Sequence, residues 1–199
     1  MLDYTKRAKN YDKRWQHYCL PSFSKSLQIL DLNQDSRLLD VGCGTGIFLE
    51  ILEKKFPATE FNGIDPNQAM LEKASEKLSR KVHLETGNAE SLPYDSQSFD
   101  WVVLSNCLGH INNQEAALSE ARRVLADDGK IIITDWTRDF LTMRILNLYT
   151  QLFDYAEYNS LKSSETLEML EKLRFNCISR ESYKINWFWG LYTILAVKG

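Results

Sequence analysis

The chain has 199 residues, of which 44% are hydrophobic and 26% are charged, and its formal net charge is -3. This length can bury the core of one domain and is short for two, so we expect a single domain over residues 1–199. Acidic and basic side chains are interspersed along the chain, which argues against the basic surface of a nucleic-acid-binding protein. We therefore expect no nucleic-acid partner.

Membrane spans and metal sites are not indicated either. No run reaches the roughly 18 apolar residues that cross a bilayer, and the first residues lack the apolar centre of a signal peptide. We expect a cytoplasmic location and no membrane partner. The cysteines form no C-x-x-C pair and have no His at ligand spacing, so reduced thiols and no metal are expected. These cysteines are Cys19, Cys43, Cys107 and Cys177.

Aromatic residues near the N-terminus recur on one helical face. Tyr4, Tyr11, Trp15 and Tyr18 are spaced by seven, four and three residues. This spacing predicts an amphipathic helix within residues 1–30 that packs on the domain.

Residues 38–46 combine a buried strand with three alternate glycines, and a helical pattern follows. Gly42, Gly44 and Gly46 allow a tight turn and a close backbone approach to a ligand. Asp40 precedes the turn and Cys43 lies within it. A strand, a glycine turn and a helix N-terminus predict a nucleotide-binding corner. Ile47 replaces the last glycine of the dinucleotide fingerprint G-x-G-x-x-G, so the match to a pyrophosphate binder is incomplete.

Asp65 ends the second predicted strand, over residues 60–64. Pro66 favours an extended backbone at Asp65, which directs the carboxylate beyond the carboxyl edge of the sheet. A carboxylate there can accept hydrogen bonds from both hydroxyls of a ribose. The alternative role for Asp65 is the N-cap of the next helix. Met70, in that helix, packs beside adenine or faces the core.

The remaining elements also alternate between strands and helices. Strands are predicted at residues 82–86, 99–105 and 131–134, with a helix at 114–125. Asp127, Asp128 and Gly129 form a turn before the strand that ends at Asp135. Two last strands, at 177–185 and 191–198, are joined by Trp187, Phe188 and Trp189, which line an acceptor pocket or wedge against a cap. This alternation predicts an α/β fold.

With these motifs in order, residues 36–136 resemble the class I S-adenosylmethionine (SAM)-dependent methyltransferases. The resemblance is to the small-molecule group that includes ubiquinone and menaquinone biosynthesis enzymes. It implies a Rossmann-like, seven-stranded and mostly parallel sheet with an antiparallel last strand and helices on both faces. It also implies SAM as the cofactor.

The same resemblance assigns roles to residues outside the glycine corner. Family members usually carry an acid at Asn88, which accepts from the adenine amino group, and Ala89 and Glu90 belong to the same segment. Ser105, at a strand end, would contact the methionine part of SAM. Tyr11 and Asp12 match a Tyr-Asp pair on a lid that closes the site. His110 is a candidate general base or a structural residue, and Asp135 an alternative base or substrate anchor.

Residues 138–160 are predicted to form a helical substrate cap after strand five. Their apolar residues are too many for one narrow stripe, so we expect the helix to be covered on more than one side. An apolar cap favours a small apolar or aromatic methyl acceptor, although burial or a dimer contact would explain the same residues. The predicted function is methyl transfer from SAM. The alternatives are a non-catalytic SAM-binding protein that acts through a partner and a nicotinamide-dependent oxidoreductase.

Overall fold

A single sheet organises the part of the chain described in the computed structural model, which comprises residues 8, 10–152 and 158–199. Seven strands lie in the order β3-β2-β1-β4-β5-β7-β6. Their bounds are β1 Leu38–Val41, β2 Phe61–Asp65, β3 Val82–Thr86, β4 Phe99–Ser105, β5 Leu125–Trp136, β6 Phe175–Lys184 and β7 Gly190–Lys198.

The sheet is parallel except at its last strand. β1 pairs in parallel with β2 and β4, β2 with β3, and β4 with β5. β7 is antiparallel to both of its neighbours, β5 and β6. The predicted seven-stranded sheet with an antiparallel last strand is confirmed. All the parallel strands therefore end at one edge, where ligands bind in open α/β sheets.

Six α-helices of the described residues connect or cover these strands. They are α1 Tyr11–Ile29, α2 Ile47–Lys55, α3 Gln68–Ser75, α4 Gln114–Val124, α5 Leu141–Leu152 and α6 Ser163–Lys172, and a short 3-10 turn spans Leu108–His110. None of the helices in the described residues is long and apolar enough to cross a membrane.

The core has one layer on each face of the sheet because strand side chains point alternately to the two faces. In β4, Trp101 and Val103 join the layer that contains Phe23 of α1 and Leu49 of α2. Val102 and Leu104 join the other layer, with Leu118 of α4 and Leu170 of α6. Helices therefore cover both faces of the sheet, as predicted, and the carboxyl edge lies between the two layers.

Two local predictions were wrong. β5 begins at Leu125 rather than after a turn at Asp127–Gly129. Asp128 adopts a φ of 62° within it, and the pairing with β4 shifts between Phe99 and Trp101. The extra residues are thus absorbed as an irregularity in the strand. The second error concerns α5, which is covered on one side only: its outer apolar side chains are exposed. Residues 153–157 of the predicted cap lie outside the described residues.

Candidate functional site

The glycine corner follows β1 and is held by the neighbouring strand. The backbone N–H groups of Gly42 and Cys43 both donate to the carbonyl oxygen of Ile64, at 2.8 and 3.1 Å. Gly42, Gly44 and Gly46 have φ values of 72°, 54° and 74°, which favour glycine. A Cβ on Gly42 would lie 2.6 Å from the Cβ of Cys107, whereas one on Gly44 would meet nothing within 4 Å. Gly42 is therefore required for packing, and the open side of Gly44 can receive a ligand.

Asp65 ties the end of β2 to this corner. Its Oδ2 accepts a hydrogen bond from the backbone N–H of Gly44 at 2.9 Å, and its Oδ1 accepts one from that of Asn67 at 2.9 Å. Burial raises the pKa of Asp65, and these two N–H donors oppose the rise. The N-cap of α3 is Asn67, whose side chain accepts from Met70 N. The alternative role of Asp65 as an N-cap is therefore wrong.

A narrow cleft lies beside the corner, with a volume of about 60 Å³. Six of the predicted cofactor residues line it together with Cys19, Phe23, Thr45, Ile47, Phe48 and Asn106. The Oγ of Ser105 is buried without a hydrogen-bond partner in the described residues. A buried hydroxyl without a partner is costly, so a polar group of a ligand would stabilise it. The six predicted residues are Tyr11, Asp40, Gly42, Cys43, Gly44 and Ser105.

Asp40 is the most buried carboxylate of this cleft, with 2% of its surface exposed. Burial, and then the negative charge of Asp65, raise the pKa of Asp40 well above its usual value. Because charged carboxylates are costly to bury, a donor or cation placed beside Asp40 would be favoured there. The cleft therefore suits a ligand with a positive group.

Seven predicted cofactor residues do not line the cleft. Gly46 caps α2 and faces Ala74 and Leu78 of the α3 segment. Met70 is 3% exposed, which fits its alternative role in the core. Glu90 accepts from the backbone N–H of Asn113 at 2.8 Å. The other four also lie outside the lining set: Asp65 is hydrogen-bonded to Gly44 N–H, Pro66 and Asn88 are exposed, and Ala89 packs against the core.

Helix α1 crosses the carboxyl edge of the sheet and covers the cleft. Tyr18 donates to Asn106 Oδ1 at 2.6 Å, and Asn106 Nδ2 donates to Ser22 Oγ at 2.9 Å. Asp12 accepts from Thr45 Oγ1 and from Lys77 Nζ, each at 2.5 Å. The start of α1 is thus held by polar contacts with the glycine corner and with the segment after α3.

An aromatic cluster adjoins the covered cleft. Tyr18 and Trp189 lie with ring centroids 5.2 Å apart, and Trp136 and Trp189 lie 4.7 Å apart. Trp15 contacts both Tyr18 and Trp189, at 6.0 and 6.5 Å. Tyr11 contacts Trp15 at 6.5 Å, so the predicted aromatic face of the first helix exists from Tyr11 onward, whereas Tyr4 lies outside the described residues. Rings from α1, β5 and the β6–β7 hairpin therefore meet at one place.

Asp135 is the last residue but one of β5, lies next to this cluster and is 2% exposed. It accepts from the backbone N–H groups of Gly109 at 3.1 Å and Trp136 at 2.8 Å, and from the hydroxyl of Tyr158. Burial raises the pKa of Asp135 to about 6, and these three donors limit the rise. His110 is exposed and its ring lies 4.7 Å from that of Tyr158. Tyr158 thus contacts both predicted catalytic residues.

Sequence reasoning missed several residues that build the site. Asn106 follows β4 directly and has a φ of 58°, a conformation in which Asn is enriched. An Asn one residue beyond a buried strand was therefore a usable signal. Thr45 and Tyr158 carried no comparable signal, because their partners Asp12 and Asp135 are distant in sequence.

Comparisons with known proteins show which family this chain resembles. Residues 39–133 match a family described as a methyltransferase domain. The chain is 31% identical over 162 residues to a demethylmenaquinone methyltransferase of Staphylococcus aureus, a match that covers 78% of this chain and 67% of the relative. It is 36% identical over 114 residues to a ubiquinone/menaquinone biosynthesis C-methyltransferase of Campylobacter jejuni. That match covers 55% of this chain and about half (48%) of the relative's length.

A solved structure shares the fold across nearly the whole chain. It is a SAM-dependent methyltransferase from Thermotoga maritima, described as a possible histamine N-methyltransferase, with a TM-score of 0.79 and 21% identity. The superposition covers 97% of each chain. At this identity the likeness establishes the fold alone.

Proposed function

Because the chain belongs to the class I SAM-dependent methyltransferases, we propose that it transfers a methyl group from SAM to a small aromatic acceptor. SAM is the cofactor of this family, and the acceptor is the part that the residues of this chain must define. The observation that carries the proposal is the meeting of the glycine corner, the buried Ser105 hydroxyl and an aromatic cluster at one edge of the sheet.

The residues of the corner fit SAM. Asp65 uses one acceptor position on each oxygen for Gly44 and Asn67, and a carboxylate offers about four, so both ribose hydroxyls can still be accepted. The open side of Gly44 and the unpartnered Ser105 Oγ suit the methionine part, and Asp40 suits its ammonium group. We assign Asn88 and Ala89 to the adenine ring. Asn88 would accept a hydrogen bond from the adenine amino group through an uncharged oxygen, where family members usually carry an acid.

SAM supplies an electrophilic methyl group on a cationic sulfur. The main task of the protein is then to orient the acceptor, which can contribute about 7–11 kcal/mol. Aromatic rings near a cation also stabilise it by about 0.5–2 kcal/mol. Trp136 and Tyr18, whose rings lie 5.9 Å apart beside the cleft, are the candidates for that contact.

The aromatic cluster favours a flat, apolar acceptor. Ring faces pack well against another aromatic ring, and the relatives named above are a demethylmenaquinone methyltransferase and a ubiquinone/menaquinone biosynthesis C-methyltransferase. Both supports favour a quinone-type ring as the acceptor, and the name of the second relative favours carbon as the methylated atom.

A base is required only where the acceptor loses a proton as it reacts. His110 is the better placed of the two candidates, because it is exposed at the surface of the site. Asp135 is buried and accepts three hydrogen bonds. We therefore assign His110 as the candidate base and Asp135 to positioning the turn that carries His110.

We propose that residues 1–30 act as a lid and residues 138–160 as a cap within one domain. The support for the lid is the size of the cleft, about 60 Å³, whereas pockets for small molecules are typically about 300–1,000 Å³. We therefore infer that helix α1 moves outward when the cofactor enters. The contacts of Asp12 with Thr45 and Lys77 hold the covered arrangement.

The test is a turnover assay with purified protein, SAM and a reduced naphthoquinone that lacks a substituent at one ring carbon. We expect S-adenosylhomocysteine and a singly methylated ring to form in equal amounts. SAM binding without turnover on any offered acceptor would favour the non-catalytic SAM-binding alternative. Binding of NADH but not SAM, measured by calorimetry, would refute the proposal in favour of an oxidoreductase.

A further inference from the structure

Helix α5 carries an apolar stripe that faces solvent. Leu141, Ile145, Leu148 and Leu152 recur every three or four residues and so lie along one side of the helix. Their exposed fractions are 71%, 61%, 57% and 69%. Met143, on the opposite side, is 1% exposed. The helix therefore has apolar residues on two sides, one buried against the domain and one exposed to solvent.

Trp187 extends this stripe from the neighbouring hairpin. Thr142 Oγ1 donates to the carbonyl oxygen of Phe188 at 2.7 Å, which ties the first turn of α5 to the hairpin between β6 and β7. Trp187, beside Phe188, is 80% exposed. We call the surface formed by Leu141, Ile145, Leu148, Leu152 and Trp187 the apolar face. Exposed apolar patches of this kind mark interaction sites.

Two basic side chains of the described residues, Arg144 and Lys184, lie beside the apolar face. Arg144 is exposed, and α5 contains no Asp or Glu between Leu141 and Leu152. The Lys184 ammonium donates to the carbonyl oxygen of Trp187 at 3.0 Å, which places it next to the most exposed ring. An exposed apolar helix side with an adjoining Trp and two basic side chains fits the interface of an anionic membrane, where Trp is enriched and each Lys or Arg is attracted to the surface.

We propose that the apolar face docks on the surface of an anionic lipid bilayer, with α5 lying in the interface. Trp187 would enter the headgroup region, where Trp is enriched, and Arg144 and Lys184 would contact lipid phosphates. A second copy of the chain fits less well, because pairing two such faces offers Arg144 and Lys184 no acidic partner from α5. The expectation of no membrane partner followed from the lack of a spanning segment, and surface docking needs none.

The apolar face is continuous with the aromatic cluster. Trp187 and Phe188 lie 5.5 Å apart, Phe188 and Trp189 5.0 Å, and Trp189 and Trp136 4.7 Å. This row of rings leads from the docking surface to the proposed acceptor site. Docking would therefore bring an apolar acceptor dissolved in lipid to the site, a consequence that rests on the proposed function.

The test is co-sedimentation of the full chain with vesicles of phosphatidylcholine alone or mixed with phosphatidylglycerol. We expect binding to the anionic vesicles that falls as salt is raised. Leu148→Glu should weaken this binding about tenfold or more because it removes a buried apolar contact. Arg144→Gln and Lys184→Gln should each weaken it about fivefold.

Ile178→Glu is the matched control, because Ile178 is also exposed, at 55%, but lies on β6 away from the face. It should leave vesicle binding unchanged, and circular dichroism should show that each variant is folded. Failure of the folded wild-type chain to bind anionic vesicles would overturn the proposal. The proposal would also be overturned if Ile178→Glu weakened vesicle binding as much as Leu148→Glu does. A third contrary result would be a wild-type dimer that Leu148→Glu dissociates, with no binding of the wild type to vesicles. Calorimetry on the same samples measures the affinity for SAM. A chain that binds SAM but no vesicles would contradict the membrane proposal alone, and a chain that binds vesicles but no SAM would contradict the proposed function alone.

Discussion

Removing the Asp65 carboxylate tests the proposed cofactor site most directly. Asp65→Ala deletes the acceptor for Gly44 N–H and Asn67 N–H, both at 2.9 Å, and the proposed acceptor for ribose. A hydrogen bond to a charged group contributes about 1.5–3 kcal/mol, so the affinity for SAM should fall about 10- to 150-fold. Calorimetry with SAM and with S-adenosylhomocysteine measures this change. Both ligands carry the ribose, so both affinities should fall alike.

Asp100→Ala is the matched control. Asp100 also accepts from a backbone N–H, that of Arg37 at 2.8 Å, and it pairs with the Arg37 guanidinium. It lies at the start of β4, hence at the opposite edge of the sheet from Asp65. Its loss should lower the melting temperature slightly and leave the dissociation constant of SAM unchanged. A folded Asp65→Ala protein that binds SAM as tightly as the wild type would refute the ribose assignment.

Three further predictions concern the lid, the candidate base and the buried carboxylate. Asp12→Ala should speed the association of SAM, measured by stopped-flow fluorescence. It should lower the free energy of unfolding by only about 0–1 kcal/mol, because the ion pair of Asp12 with Lys77 is partly exposed. An unchanged association rate would contradict the role of α1 as a lid. His110→Gln should lower turnover about 100-fold with an acceptor that loses a proton, and leave SAM affinity unchanged; a normal rate would exclude His110 as the base. The pKa of Asp135 is raised from 3.8 to about 6 by burial, so the folded chain binds more protons than the unfolded chain in this range. The free energy of unfolding should therefore fall by about 2 kcal/mol as pH rises from 4 to 7, relative to Asp135→Asn in the same urea titrations. Parallel curves for the two proteins would refute the raised pKa of Asp135.

The fold was largely predictable because its signals are local. Residues 38–46 contain a strand, a glycine turn and a helix start in immediate succession, and each of these is specified by neighbouring residues. The alternation of apolar strands and helical patterns then predicts a parallel α/β sheet. The position of Asp65 at the carboxyl edge followed in the same way, because strand topology places all such ends together.

The site was only partly predictable because its side chains come from distant segments. The sequence identified Gly44 and Ser105, but it could not show that Met70 is buried or that Asp135 accepts from Tyr158. Such partners are decided by packing between elements, and packing has no local pattern in the chain. The same limit explains the error on α5, since periodicity cannot tell which side of a helix finds a cover.

The amino-acid sequence by itself determined the sheet, the glycine corner and the family of this protein, because these depend on backbone preferences and the order of short motifs. Only the tertiary structure decided that α1 lies across the cleft, that α1, β5 and the β6–β7 hairpin bring their aromatic rings together, and that α5 turns Leu148 and Ile145 outward. These features arise from contacts between residues far apart in the chain, whose free energies are settled only when the whole domain packs.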